Sequence, residues 1–291
     1  MALKKYFTNY MDTKQQKLQG SKTKKEIVVA LLYDFDGTLA PGNMHEHGFI
    51  HQMGLTTEDF WNKSDNLATN QNADSNLAYM WLTLEEAKKL GTKKEDFMSY
   101  GKGVKYFEGV ESWFDRINAF GKKLGIKVEH YLISSGLSEM VEGMSIYPKF
   151  TRIYANRYMY DANGVAYWPA RIVNYTDKTQ YLYRISKGCL DECDKSVNNR
   201  SNEIRVPFKN MLYFGDGLTD VPCMAILQEN GGHCIGVYTP HKSKKNAERL
   251  IADKRVNIIA PAYYSEESAI DKYVKALLQK IKADAELAKM E

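Results

Sequence analysis

Cysteine is scarce in this sequence: Cys189, Cys193, Cys223 and Cys234 are all it holds in 291 residues. So sparse a set excludes the disulfide framework that staples small secreted domains. Long apolar runs are missing too, none approaching the roughly 20 residues that a membrane-spanning helix needs. The start, MALKKYFTNYMDTKQQ, lacks the apolar stretch of a secretory signal, so the expected location is cytoplasmic. Nor does one sign of charge dominate, with 40 Lys+Arg against 36 Asp+Glu and a net charge of +4. At 44% hydrophobic and 26% charged residues, wholesale disorder and fibrous architectures are excluded. A chain of this length can bury a sizeable core.

The positive surplus is local. Residues 1–25 carry seven lysines and one acid, Asp12, which is +6, so the other 266 residues sum to −2. The stretch 1–26 reads as a basic, solvated arm, with a role in docking nucleic acid or an acidic surface as the alternative. Nucleic acid is not the expected partner of the body, and no membrane association is expected.

What is present is a series of short, β-favouring apolar runs. Ile27-Val28-Val29-Ala30-Leu31-Leu32-Tyr33 is too short for a typical helix and reads as a strand buried on both faces. Similar runs recur at Val128–Ile133, Met211–Phe214, Cys234–Val237 and Val256–Ile259. Helical patterns lie between several of them: Val110 to Leu124, Lys178 to Lys187 stopped by Gly188, and Glu267 to about Glu286. Buried strands alternating with helices predict an α/β fold, a parallel sheet covered on both faces. Residues 43–106 interrupt the alternation. They hold helix formers and aromatics (Trp61, Tyr79, Trp81, Phe97) and read as an inserted, mostly helical subdomain whose aromatics form its core. The core is then 27–42 plus 107–291. Asp161-Ala162-Asn163-Gly164 suits a hairpin turn, and the polar stretch 189–206 reads as a surface excursion.

Chemistry concentrates where strands end. The first runs into Asp34-Phe35-Asp36-Gly37-Thr38-Leu39, two carboxylates that repel one another and call for a cation. A second ends in Gly215-Asp216-Gly217-Leu218-Thr219-Asp220. Carboxylates from two adjacent strand ends suit a hard cation such as Mg2+. A third, Leu132-Ile133-Ser134-Ser135-Gly136, offers hydroxyls and a small-residue turn before a helix, whose N–H groups could hold an anion. Lys178 follows Thr176, a predicted N-cap, and a lysine there opposes the helix dipole, which hints at function. His45, His47 and His51 lie close together, but without a standard metal spacing. They read as a solvated loop, with a cleft-lining role as the alternative.

In order and context, DFDGTL at 34–39, LISSG at 132–136, Lys178 and GDGLTD at 215–220 resemble the motif set of the haloacid dehalogenase-like hydrolase superfamily. The turn at Asp161–Gly164 and the position of the insertion resemble its phosphoserine phosphatase branch. The resemblance implies a Rossmann-like core under a helical cap at 43–106, bound Mg2+, and hydrolysis of a small phosphorylated metabolite through a phospho-aspartate. It implies Asp34 as nucleophile and Asp36 as acid and base. Mg2+ would sit on the Asp34 carboxylate, the Asp36 carbonyl and the Asp216 carboxylate. Ser134, Ser135 and Lys178 would bind the phosphoryl group, with Thr38, Gly217 and Asp220 in support, Asp220 by orienting Lys178 or a metal water. Lys187 is the competing lysine, but it would stand at the far end of its helix. Asp36 argues against carbon–halogen cleavage and Phe35 against the ion-pumping ATPases, which carry lysine there. A non-catalytic phospho-ligand or partner-binding protein, a phosphomutase and a nucleic-acid-end phosphatase are the alternatives. One departure bears on substrate. Phosphoserine phosphatases place a glutamate nine residues after the nucleophile, where this chain has Asn43, so phosphoserine is not carried over.

Overall fold

The computed structural model describes residues 26–200, 204–240 and 244–290. The reading of the basic arm at 1–25 lies outside the described residues. Ile27–Tyr33 forms β1, and from Val28 onward every residue of it is buried, as its unbroken apolar composition predicts. Parallel neighbours flank it: β2 (Ile126–Leu137) in register Tyr33↔Leu132, and β5 (Met211–Gly215) in register Tyr33↔Phe214. β3 (Arg152–Tyr160) runs parallel to β2, and β4 (Ala166–Arg171) returns antiparallel to β3 through the Asp161–Gly164 turn. With β6 (His233–Tyr238) and β7 (Ile258–Pro261), the order is β4-β3-β2-β1-β5-β6-β7. From β1 the chain builds one side of the sheet through β4, then crosses back to build the other from β5. In an open parallel sheet, ligands bind in the crevice outside the carboxyl ends of strands at such a reversal.

Successive side chains of β1 point to opposite faces. Val29, Leu31 and Tyr33 share a buried cluster with Trp113, Phe114 and Ile117 of α5 (Val110–Lys123) and Val274, Leu278 and Ile281 of α10 (Ala269–Leu287). Val28, Ala30 and Leu32 share another with Tyr181, Leu182 and Ile185 of α7 (Asp177–Lys187) and Met224 and Leu227 of α8 (Val221–Glu229). The short helices α6 (Ser138–Glu142) and α9 (Lys245–Ala252) follow β2 and β6. The α/β, doubly covered sheet predicted from the sequence is the fold observed.

Between β1 and β2 the chain first forms α1 (Phe49–Gln52), α2 (Thr57–Gln71), α3 (Ser75–Leu90) and α4 (Lys94–Gly101). Sequence sets their ends. The Thr56 side chain accepts from the N–H of Asp59, the Asp74 side chain accepts from those of Asn76 and Leu77, and Gly91 ends α3 in the left-handed region. Phe60, Tyr79 and Phe97 are buried, but Trp81 is 50% exposed and corrects the expectation that it is core. The buried stripe of α3 runs through Asn76, Tyr79, Met80, Thr83, Leu84 and Ala87, and Trp81 falls off it.

Two further features needed the structure. Tyrosine, abundant in the sequence at 20 residues, stitches layers together. The hydroxyls of Tyr33, Tyr79, Tyr131, Tyr154, Tyr158, Tyr181, Tyr213 and Tyr264 are all buried and hydrogen-bonded. The stretch 189–206 is not simply a surface excursion, because Val206 is fully buried and the Arg205 guanidinium grips both oxygens of buried Glu129. A buried carboxylate needs that partner. Among the described residues, no helix is long and apolar enough to cross a membrane.

Candidate active site

The carboxyl ends of β1 and β5 bring the acidic motifs together. Asp34 follows β1 directly, and its N–H donates to the Phe214 carbonyl at 2.9 Å, which continues the ladder one step past the end of β1. Carboxylate oxygens of Asp34, Asp216 and Asp220 lie within 4.8 Å of one another. Gly37 makes this approach feasible. Its φ is +75°, and a Cβ there would fall inside the Asp216 carboxylate.

Lys178 enters from the second turn-forming position of α7 with its side chain wholly buried. Its Nζ donates to Asp34 Oδ1 at 3.0 Å and to Asp220 Oδ1 at 2.7 Å. Burial alone would push the ammonium towards neutrality, but Asp220 and Asp34 outweigh it and hold it protonated. Thr176 stands at the N-cap position in helical conformation and makes no side-chain cap, correcting that expectation. The helix start is instead tied by the Asp177 N–H to the Asn174 carbonyl at 2.7 Å. Lys187 is at the opposite end of the helix, bonded to the carbonyls of Val197 and Asn199.

The remaining acids occupy distinct settings. Asp220 is saturated: Oδ1 takes Lys178 and the Tyr213 hydroxyl at 2.8 Å, and Oδ2 takes the Gly217 N–H at 3.3 Å. Asp216 accepts no hydrogen bond among the described residues, and burial followed by the Asp34 charge raises its pKa to about 8. Asp36 Oδ1 accepts the Met44 N–H at 2.9 Å, while burial and then Asp34 raise its pKa to about 8. Asp34 rises to about 6, through burial and Asp220, against the pull of Lys178. Thr38 is fully buried, its carbonyl accepting the Tyr264 hydroxyl at 2.9 Å and its own Oγ1 without a partner among the described residues.

These residues fit a divalent cation. Their donors are hard oxygens, converging from two strand ends onto a spot kept open by a glycine, and their mutual repulsion is what a cation relieves. Asp216 has its oxygens free for that duty, whereas Asp220 has both committed.

The third motif is arranged differently from its prediction. β2 continues through Ser134, Ser135 and Gly136 to Leu137, with no turn at the motif itself. Buried Ser134 accepts the Gly136 N–H at 2.9 Å, which leaves its own O–H free to donate. The Ser135 hydroxyl instead donates to the Val173 carbonyl at 2.9 Å, so that side chain serves the scaffold and is not available to a phosphate. Alternation along the strand separates the two serines.

His45 also overturns its reading as part of a solvated loop. It is 2% exposed, with its ring against Tyr79 (centroids 4.9 Å) and Trp61 (6.1 Å). His47 is half-buried and His51 exposed. Sequence reasoning placed Tyr79 only among the aromatics of the insertion and gave Asn156 and Tyr213 no role in the site. The Tyr79 hydroxyl donates to the Ser135 carbonyl at 2.8 Å and accepts from Asn156 Nδ2 at 2.6 Å. For Tyr213 a signal existed, since it is the one polar-tipped side chain in β5.

No family model matches this chain. An uncharacterized protein of Borreliella burgdorferi is 27% identical over 277 residues, spanning 86% of this chain and 96% of that one. Among solved structures, a probable phosphoserine phosphatase from Vibrio cholerae superposes with a TM-score of 0.57 at 10% identity, over 90% of this chain and 69% of that one. A HAD family hydrolase from Salmonella enterica serovar Typhi gives 0.55 at 14% identity, over 92% and 79%. A substrate-bound phosphoserine phosphatase gives 0.51 at 14% identity, over 85% and 97%. By these superpositions the fold is like that of a HAD family hydrolase and of phosphoserine phosphatases.

Proposed function

We propose that this chain is a Mg2+-dependent phosphatase that hydrolyses a small phosphate monoester, in the cytoplasm, through a phospho-aspartate on Asp34. The observation that carries the reading is the buried Lys178–Asp34 pair at 3.0 Å, with Asp216 and Asp220 beside it where the strand order reverses. A charge set so costly to bury suits a site that receives a phosphoryl group and a cation.

In the first step an Asp34 carboxylate oxygen attacks phosphorus in line and the bond to the leaving oxygen breaks. Asp36, kept protonated near neutrality by burial and by Asp34, gives its proton to that oxygen. In the second step Asp36 takes a proton from water, the oxygen of that water attacks phosphorus, and the Asp34–phosphorus bond breaks. Asp34 and the protonated Asp36 are restored, and the sum is ester plus water to alcohol plus phosphate. Lys178 and the free O–H of Ser134 hold the phosphoryl oxygens, and Asp220 fixes the Lys178 ammonium. Asp34, Asp216 and the Asp36 carbonyl would hold Mg2+, which when bound offsets the charge between an anionic nucleophile and an anionic ester. Residues 43–106 act as a cap on a core formed by 27–42 and 107–291, shielding the site from water.

The test is p-nitrophenyl phosphate hydrolysis with Mg2+ or with EDTA, on wild type and Asp34→Asn. Turnover that survives EDTA, or the loss of Asp34, refutes the mechanism.

A further inference from the structure

We propose that His45 Nε2 is the acceptor that recognises a hydroxyl of the leaving group, which makes a phosphorylated polyol or sugar the substrate class. The inference rests on the phosphatase reading and deepens it. Three observations carry it. First, Asn43 Oδ1 accepts the His45 backbone N–H at 3.2 Å and also contacts His45 Nδ1 at 2.9 Å. The backbone donor fixes that Asn43 atom as the oxygen, so Nδ1 must carry the proton and Nε2 must present a lone pair. Second, that lone pair is buried and has no hydrogen-bond partner among the described residues. Buried polar atoms in folded proteins are nearly always paired, so an orphan needs a partner from outside the chain, a water or a ligand.

Third, the chain and one aromatic contact tie the ring to both the proposed acid and the serine motif. His45 follows Met44, whose N–H donates to Asp36, the proposed acid. Its ring meets Tyr79, whose hydroxyl rests on the Ser135 carbonyl at the end of β2. It is thus linked through Met44 to the loop that carries Asp36 and through Tyr79 to the strand that carries Ser134. Tyr79 and Trp61 add aromatic faces against which a sugar or polyol carbon chain packs.

The chemistry selects a neutral donor. Burial holds the imidazole uncharged, its pKa lowered to about 4, so it neither attracts a carboxylate nor neutralises an ammonium. Asn43 beside it is a neutral amide whose oxygen is already taken by His45. A hydroxyl meeting a lone acceptor in an aromatic wall satisfies both partners, and a site built this way rejects analogues that lack the hydroxyl.

The test uses the full chain with Mg2+ and three probes: ribitol 5-phosphate, pentyl phosphate of matched length, and phosphoserine. Wild type should prefer ribitol 5-phosphate to pentyl phosphate by at least about tenfold in kcat/KM. His45→Phe should bring that ratio close to one, and His45→Gln, which keeps an acceptor, should restore most of it. An independent readout needs no turnover. On wild type, the 15N shift of His45 Nε2, assigned by its loss in His45→Gln, should move as ribitol 5-phosphate is added and stay put with pentyl phosphate. If p-nitrophenyl phosphate is cleaved in an Asp34-dependent way but the ratio is near one, survives His45→Phe, or favours phosphoserine, the assignment to His45 is wrong while the phosphatase reading stands. If no ester is cleaved and the shift does not move, both fall together.

Discussion

Replacing Lys178 with methionine removes a cation but keeps most of the side-chain volume, so the effect reports charge and not a cavity. The wild-type ammonium is wholly buried, 2.7 Å from one carboxylate oxygen and 3.0 Å from another. At an effective dielectric near 20, each contact is worth about 6 kcal/mol of attraction, and the ammonium loses several kcal/mol of hydration in return. Truncating one partner of such a buried set costs about 3–5 kcal/mol, because the carboxylates left behind stay buried. For a chain of this size that corresponds to a fall in Tm of roughly 6–20 °C. Asp34, already raised to about 6, should respond by taking up a proton, so the loss should be larger at pH 8 than at pH 5. Adding Asp220→Asn to Lys178→Met should recover part of the stability, giving a coupling of about 1–3 kcal/mol in a double-mutant cycle. Millimolar Mg2+ should shrink the penalty, since a divalent ion can take over the neutralisation. Urea titrations of the four proteins at both pH values, with EDTA or Mg2+, supply every quantity. A Lys178→Met loss below about 1 kcal/mol in EDTA, or one independent of pH, would show that the buried charge set is not held as argued.

Other consequences can be checked more briefly. Gly37→Ala forces a Cβ into the Asp216 carboxylate at a positive φ; calorimetric titration should show Mg2+ affinity reduced by at least about tenfold, with stability down by about 1–3 kcal/mol. Asp36 has its folded-state pKa raised to about 8, so the folded chain keeps a proton that the unfolded chain releases. In EDTA the stability it contributes is complete below about pH 4 and is lost as pH rises through about 8, with a limiting slope of about 1.4 kcal/mol per pH unit. Asp36→Asn should flatten that part of the pH–stability curve. Tyr33 accepts from Trp113 Nε1 at 2.9 Å and meets His130 Nδ1 at 2.9 Å, both buried; Tyr33→Phe should therefore cost about 2–5 kcal/mol in urea unfolding, since it orphans two buried groups.

The extent to which the chain could be read in advance follows from how local each signal is. β1 and β5 are short apolar runs ending in Asp–Gly chemistry, so both strands and the acids beyond them were visible in sequence. Lys178 stands out in sequence by an awkward place at a helix start and by its order among the motifs, but its burial depends on Asp220, which is 42 positions away. Ser134 and Ser135 are indistinguishable by composition. The register of a strand that runs on to Leu137 decides which one faces the scaffold. His45 was misread because three neighbouring histidines look like a polar loop, and only Tyr79 and Trp61, from separate helices, enclose the first of them. The grip of Arg205 on Glu129 hid a buried anchor inside a stretch that reads as solvent-facing. Signals carried by adjacent residues survive in sequence, while those that need a distant partner do not.

The start of α3 is fastened to the segment that leads into α7. Asn76 Nδ2 donates to the Val173 carbonyl at 3.0 Å, and Asp74 Oδ2 accepts from Asn174 Nδ2 at 2.7 Å. The Asn174 carbonyl in turn receives the first N–H of the helix that carries Lys178. Any parting of α3 from the sheet must break these bonds and loosen the collar around the buried ammonium. If residues 43–106 open as the proposed cap, access and grip are therefore coupled: parting α3 from the sheet strains the start of the helix that carries Lys178, and reseating α3 restores it.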